Sequence, residues 1–245
     1  MMAFDIRHYH SIRSTNDEAM RLARTGASHG TVVVAREQTA GRGRQARRWH
    51  SPAGNLHASI LLRTDVPPAR IPQLSFVTAL AVADAADAFL PGNIRAALKW
   101  PNDVLVRGAK IAGILIECTE AAAIVGIGLN VLHAAPDAPY PVTTLAASGE
   151  GPSEPDAVLQ VLLEAFHRRS ADWQDQGFAP VRAAWLKRAH PAGSSLRLTV
   201  GNRSIEGRFA DLGHDGALVI ETATGLERFV AGEVLGAAGS AAPAI

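Results

Sequence analysis

A single cysteine, Cys118, stands in 245 residues. That excludes an internal disulfide framework and a cysteine-rich zinc site, and it fits a reducing, cytoplasmic compartment. An excess of one charge sign is also lacking. Lys and Arg number 24 against 23 Asp and Glu, a formal net charge of +1, so the chain has no overall basic field of the kind that nonspecific nucleic-acid binding needs. Aromatic residues make up 5% of the chain, too few for a nucleic-acid-binding module built on interleaved aromatics. Long apolar runs are missing too. The start, MMAFDIRHYH, has no hydrophobic signal core, and the alanine-rich stretch from Ala79 to Leu90 is interrupted by Asp84 and Asp87; neither a signal peptide nor a membrane span is expected. Of nine histidines only His8 and His10 are closely spaced, which is no metal-ligand signature. No internal repeat is visible.

What is present is an ordinary globular composition, 47% hydrophobic and 19% charged, enough for a sizeable core and a second small domain. The most informative stretch is Gly41 to Asn55, GRGRQARRWHSPAGN, with four arginines, three glycines and no acidic residue. Glycines let the backbone approach a ligand, and guanidinium forks suit carboxylate or phosphate oxygens. A solvated basic surface loop is the plain alternative. Apolar patterning flanks the loop with strands over Thr31 to Arg36 and His57 to Leu62. Before it, a helix is expected from the Ser14-Thr15-Asn16 turn through Ala23, with Thr15 and Glu18 at capping-box spacing and Gly26 as the stop.

Further along, Ile71 to Phe89 reads as a helix. Strands are expected near Ala96 to Trp100, Val104 to Arg107, Lys110 to Glu117 and Ala122 to Gly128, giving a mixed sheet with helices, a two-layer α/β or α+β core. Pro136 to Pro155 reads as a surface connection, and Ala157 to Gln174 and Val181 to Arg188 as helices. After His190-Pro191-Ala192-Gly193 the texture changes to short alternating segments split by glycine turns, a small all-β barrel or sandwich. The boundaries are therefore 1–190, 191–236 and a flexible tail over 237–245.

Three smaller segments complete the pattern. Lys99-Trp100-Pro101-Asn102-Asp103-Val104 puts Asn102 and Asp103 in a tight turn at a sheet rim, which by itself is a common turn. Lys110-Ile111-Ala112-Gly113-Ile114-Leu115-Ile116-Glu117 starts a strand with a lysine. Gly126-Ile127-Gly128-Leu129-Asn130-Val131 lacks a full dinucleotide fingerprint. In this order, from STN through QTAGRGR, WHSPAGNL, KWPNDV, KIAGILIE and GIGLNV, the segments from Ser14 to Val131 resemble the catalytic domain of the biotin protein ligases. The segment after Gly193 is similar to their SH3-like C-terminal β domain.

The resemblance implies a class II synthetase-like catalytic domain followed by an SH3-like β-barrel. It implies an ATP-dependent enzyme that makes biotinyl-5′-AMP and transfers biotin to a lysine of a biotin carboxyl carrier domain, with Mg2+ accompanying ATP. Ser14, Thr15, Asn16 and Gln38 would hold biotin's polar head, and Gly41, Arg42, Gly43, Arg44 and Lys110 its carboxylate end. Lys110, Arg44 and Asp103 would be catalytic. Arg47 and Trp49 would belong to a lid, with Trp100, Asn102 and Asn130 near the nucleotide. Many members have glycine where this chain has Ala46 and arginine where it has Gln45. Thirteen residues precede Ser14, too few for a helix-turn-helix domain, so no DNA binding is expected. Pairing of two chains through an exposed sheet edge is compatible with the pattern. Lipoate or octanoate ligases, which share the fold, are the alternative, and a nucleic-acid module is the remote one.

Overall fold

The computed structural model describes residues 3–63, 67–120, 122–149 and 154–236. The expected tail over 237–245 and part of the expected connection, 150–153, lie outside the described residues. The chain opens with strand β1 (Asp5–Ile12), helix α1 (Thr15–Arg24), and strands β2 (Thr31–Gln38) and β3 (Leu56–Leu62). Helix α2 (Gln73–Asp87) leads into β4 (Ala97–Lys99), β5 (Asp103–Val106), β6 (Ala109–Cys118) and β7 (Ala123–Leu129). The short α3 (Leu145–Ser148) precedes α4 (Pro155–Gln176) and α5 (Phe178–Leu186).

β1 is a strand that apolar patterning did not reveal. It sits at the sheet edge, pairs only with β2, in parallel, and leaves most of its side chains in solvent. An edge strand has no second partner to demand apolar alternation. The start of α1 is shifted by one residue from the expected capping box. Ser14 is the N-cap, with its Oγ accepting from the Asp17 backbone N–H at 3.4 Å. Thr15 Oγ1 is occupied elsewhere, donating to Gln38 Oε1 at 3.1 Å. The helix stops before Gly26, which has the positive φ expected there.

β1 to β7 form one sheet in the order β1-β2-β3-β7-β6-β5-β4. One face is covered by α2 and α4, against which α5 packs, with Val32, Ile60, Leu80, Val125 and Phe166 in a single core. The other face is covered only at one end. There α1 lays Ala19 and Leu22 on Val33, Leu61 and Ile124. The uncovered remainder of that face is where the sequence motifs meet.

The C-terminal strands β8 (Ser195–Val200), β9 (Arg203–Leu212), β10 (Leu218–Thr222), β11 (Gly225–Phe229) and β12 (Glu233–Gly236) form an antiparallel sheet ordered β11-β10-β9-β8-β12. This corrects the expected barrel: among the described residues β11 and β12, of 5 and 4 residues, are edges and do not pair with each other. The sheet is not an appendage. Leu198, Phe209, Leu212 and Ile220 join the main core, Trp100 Nε1 donates to Gly216 O at 3.0 Å, and Arg182 pairs with Asp211. Gly216, at φ 87°, has the Phe76 ring 2.6 Å from where a Cβ would stand.

Phe76 also meets Phe178 and Trp185 edge-on, with centroids 5.5 and 5.6 Å away. It therefore joins α2, α5 and the small sheet. Phe76→Ala is expected to cost about 3–5 kcal/mol, read as a lower urea midpoint with a single transition retained if both sheets unfold as one unit.

Candidate functional site

Residues opposite one another in a sheet share a face, so strand register decides which motifs meet. Lys99 pairs with Asp103, Asp103 with Gly113, Gly113 with Gly128, and Gly128 with His57. One row of neighbours thus runs from β4 across to β3. Lys110 would fall on the wrong side of this row by simple alternation from Gly113. A bulge corrects that: Val104 pairs with Ala112 but Leu105 with Lys110, leaving Ile111 as the extra residue. Ile111 and Ala112 both enter the core, and the Lys110 side chain reaches the site, its Nζ 3.4 Å from where a Cβ on Gly113 would stand.

The glycines in the row, and Gly126 beside it, are there for space. A Cβ on Gly128 would overlap the Trp49 indole, one on Gly113 would lie 3.1 Å from it, and one on Gly126 would overlap the Asn16 amide. The result is an open cleft of about 820 Å³, solvent mouth included, floored by glycine and running from Ser14 to Glu233.

At one end the groups are neutral and polar. Ser59 Oγ lies 2.5 Å from Asn16 Oδ1 and 2.7 Å from Thr15 Oγ1. Gln38 accepts from the Thr15 backbone N–H at 2.8 Å and donates to Ser51 Oγ at 2.9 Å. Asn16 Nδ2 donates to Glu117 Oε2 at 2.7 Å. The middle and far end are charged. Lys110 Nζ stands 2.5 Å from Asp103 Oδ1, and Lys99 Nζ 3.1 Å from Asp103 Oδ2. Lys110 also lies 5.4 Å from both the Trp49 and Tyr140 ring centroids.

The four arginines of the loop do not converge on one point. Arg42 is held by Asp17 at 2.7 Å and Glu117 at 3.0 Å, and these carboxylates raise its pKa, Asp17 most. Arg47 reaches Glu233 on β12 at 2.8 Å, which raises its pKa. Arg44 alone is turned inward, donating to Gly232 O at 3.1 Å and Asn102 Oδ1 at 3.4 Å. Burial lowers its pKa, so a charged Arg44 in that position gains from any anion that joins it. Arg48 lines the cleft mouth.

Two other expected residues, Gly41 and Asn130, are near the site without lining it. Gly41 is buried behind the loop, its carbonyl accepting from the Trp49 N–H at 2.9 Å, and a Cβ there would overlap Ser51. Asn130 donates through Nδ2 to Thr143 O at 3.2 Å and through its backbone to Ile111 O at 2.8 Å. In this position it braces the chain around Lys110. Lys110 N donates to Pro141 O at 2.8 Å and its carbonyl accepts from Thr143 at 2.9 Å. The stretch read as a surface connection is thereby stitched to the site, and it delivers Tyr140. Trp100 lines the cleft but spends its N–H on Gly216.

Tyr140, Lys99, Glu117, Glu233 and the paired glycines are the functional candidates that sequence reasoning did not single out. Lys99 had a signal in hand, since it lies four residues before a candidate carboxylate, across the Pro101-Asn102 turn. Tyr140 had none beyond being one of 2 tyrosines. Among the described residues no group of three or more His, Cys, Asp or Glu is arranged to hold a metal ion. No described helix is long and apolar enough to cross a membrane.

With this geometry in hand, comparison with known proteins gives the class and then the branch. The chain belongs to the biotin/lipoate A/B protein ligase family, whose model matches residues 9–131. Residues 193–235 match the biotin protein ligase C-terminal domain. The chain is 41% identical over 232 residues to a biotin–[acetyl-CoA-carboxylase] ligase of Paracoccus denitrificans, covering 90% of this chain and 96% of that one. It is 34% identical to the bifunctional ligase/repressor BirA of Bacillus subtilis, over 92% of this chain and 72% of that one. Among solved structures, the biotin protein ligase of Aquifex aeolicus in complex with biotin and ATP superposes with a TM-score of 0.83 at 29% identity, covering 94% of this chain and 97% of that one.

Two consequences are measurable. Gln45 and Ala46, at the tip between Gly43 and Arg47, both have left-handed backbones, φ 55° and 56°. Ala46→Gly is expected to relieve about 1 kcal/mol of strain, seen as slower proteolytic nicking of the loop. His57 is fully buried, and burial lowers its pKa to about 4. The unfolded chain takes up this proton near pH 6.5 and the folded one only near 4, so the folded state loses stability as pH falls through that window. The loss reaches at most about 3 kcal/mol. Urea melts at pH 7 and 4.5 should differ less for His57→Phe than for the parent.

Proposed function

We propose that this chain is a biotin protein ligase: it activates biotin with MgATP to biotinyl-5′-AMP and passes the biotinyl group to a lysine of a biotin carboxyl carrier domain. The observation that carries this reading is the glycine-floored cleft with neutral amide and hydroxyl groups at one end and the Lys110, Asp103 and Arg44 cluster further along. A ureido head is neutral and needs donors and acceptors, which Ser14, Thr15, Asn16 and Gln38 provide. The bare floor then admits the flat bicycle and its chain. Arg42 closes the head end through Asp17 and Glu117 instead of meeting the carboxylate.

In the first step a biotin carboxylate oxygen attacks the α-phosphorus and pyrophosphate leaves. Both reactants are anionic, so their approach needs fixed cations in a site screened from water. Lys110 and Arg44 supply them, and magnesium enters as part of the nucleotide substrate. Trp49, Arg47 and the rest of the loop cover the mixed anhydride against hydrolysis. In the second step the acceptor amine attacks the acyl carbon and AMP leaves. Asp103, with Lys110 beside it, orients that amine. We assign 1–190 to catalysis and 191–236 to the domain that anchors the loop, and read the compartment as cytoplasmic. The free edge of β1 is where a second copy would pair to make a homodimer.

Pyrophosphate exchange into ATP, run with biotin, lipoate and octanoate in parallel, tests the reading. Biotin should support exchange and the two fatty acids should not; exchange indifferent to biotin would overturn it. Lys110→Ala should slow adenylate formation by about a hundredfold. Asp103→Ala should slow transfer from preformed biotinyl-5′-AMP at least as much, and an unchanged transfer rate would remove Asp103 from the reaction.

A further inference from the structure

Lys99 has no task in the reaction as described, although it lines the cleft. It stands next to Asp103 in the register, and its ammonium holds Oδ2 at 3.1 Å while Lys110 holds Oδ1 at 2.5 Å. The three side chains are each 12–15% exposed. A strand-edge ion pair would need one lysine, and here two converge on one carboxylate.

The surroundings do not cancel this surplus. Arg44 from the loop adds another cation, and Asp103 is among the groups acting on it. Arg47 is matched by Glu233 on β12. Tyr140 is kept protonated, its pKa raised by burial first and by Asp103 next. His190, after α5, has its pKa lowered by burial and by Lys99. Positive charge therefore outweighs negative where an acceptor lysine would meet Asp103.

That lysine arrives mainly as an ammonium, since a free lysine has a pKa of about 10.4, and only its neutral form attacks. A like charge nearby and loss of water both disfavour the ammonium. We propose that Lys99 is a positioning residue of the transfer step: with Lys110 it forms a cationic collar around Asp103 that makes the incoming acceptor lysine give up its proton. The inference rests on the proposed function, in particular on Asp103 as the acceptor's seat. The acceptor ammonium releases a proton to solvent, and its nitrogen bonds to the acyl carbon. The acyl–phosphate C–O bond breaks, AMP leaves with the electron pair, and the second amine proton follows to solvent.

The test supplies preformed biotinyl-5′-AMP, so the first step is bypassed, together with the carrier domain of a bacterial acetyl-CoA carboxylase. Transfer rate is followed against pH for the parent, Lys99→Met and Lys99→Arg. The Met variant should show its midpoint displaced upward by about one pH unit, and the Arg variant should keep the parental midpoint. With hydroxylamine as nucleophile, already neutral at pH 7, Met variant and parent should react at equal rates. Should the Met variant not fold, Lys99→Gln makes the same comparison. An unchanged midpoint, even with a uniformly lower rate, would overturn the inference and leave Lys99 a structural ion pair. A parent unable to transfer from the adenylate would instead overturn the proposed function.

Discussion

Two glycines directly opposite each other on adjacent strands, Gly113 and Gly128, are the constraint on which the site depends. A sheet face is normally covered by its own side chains to a depth that excludes a ligand. Leaving out both Cβ atoms at one cross-strand pair opens a patch of bare backbone, and Gly126 extends it toward Asn16. The same row carries the charged groups, because Lys99 and Asp103 are its next members. The bulge at Ile111 brings Lys110 to that side. Shifting any of these strands by one residue would send the cluster into the core.

The second sheet acts on this patch through the loop. Gly232 and Glu233 accept from Arg44 and Arg47, residues 188 and 186 positions away in sequence. Trp100 and Phe76 fix the other side of the same junction. Hence the small sheet, which contributes Glu233 to the cleft lining, determines where the loop rests. It does so from an apolar base shared with α2 and α5.

Most of the fold was legible because its signals are local. The runs that became β2, β3 and α2 are largely apolar, and Gly26 ends α1 as a glycine should. β1 escaped because an edge strand can be polar. Closure of the small sheet into a barrel, not found among the described residues, depends on pairing between distant strands, which no local pattern encodes. In the site, the resemblance led to Lys110, Asp103 and the polar Ser14 turn. It could not say that Arg42 is already matched by Asp17 and Glu117, or that Asn130 braces Lys110 from behind, since both depend on tertiary contacts. Tyr140 was hidden in a segment whose Pro and Ala content reads as a connection, although its backbone is bonded to Lys110.

The loop's energetics explain why it suits a reaction that must open and close. Left-handed backbone at Gln45 and Ala46 costs roughly 1 kcal/mol apiece. The Trp49 indole Nε1–H, buried without a partner, adds about 1–3 kcal/mol. Against this, the Arg47–Glu233 pair, 48% and 26% exposed, returns at most about 1 kcal/mol. The neutral-acceptor bonds of Arg44 return about 1.5–3 kcal/mol each at best, the 3.4 Å one less. These terms nearly balance, so the loop's resting place is held by a margin of a few kcal/mol either way. A glycine at position 46 would remove one of the opposing costs. An alanine there keeps the resting loop easier to lift, and the ligand in the cleft then decides how firmly it closes.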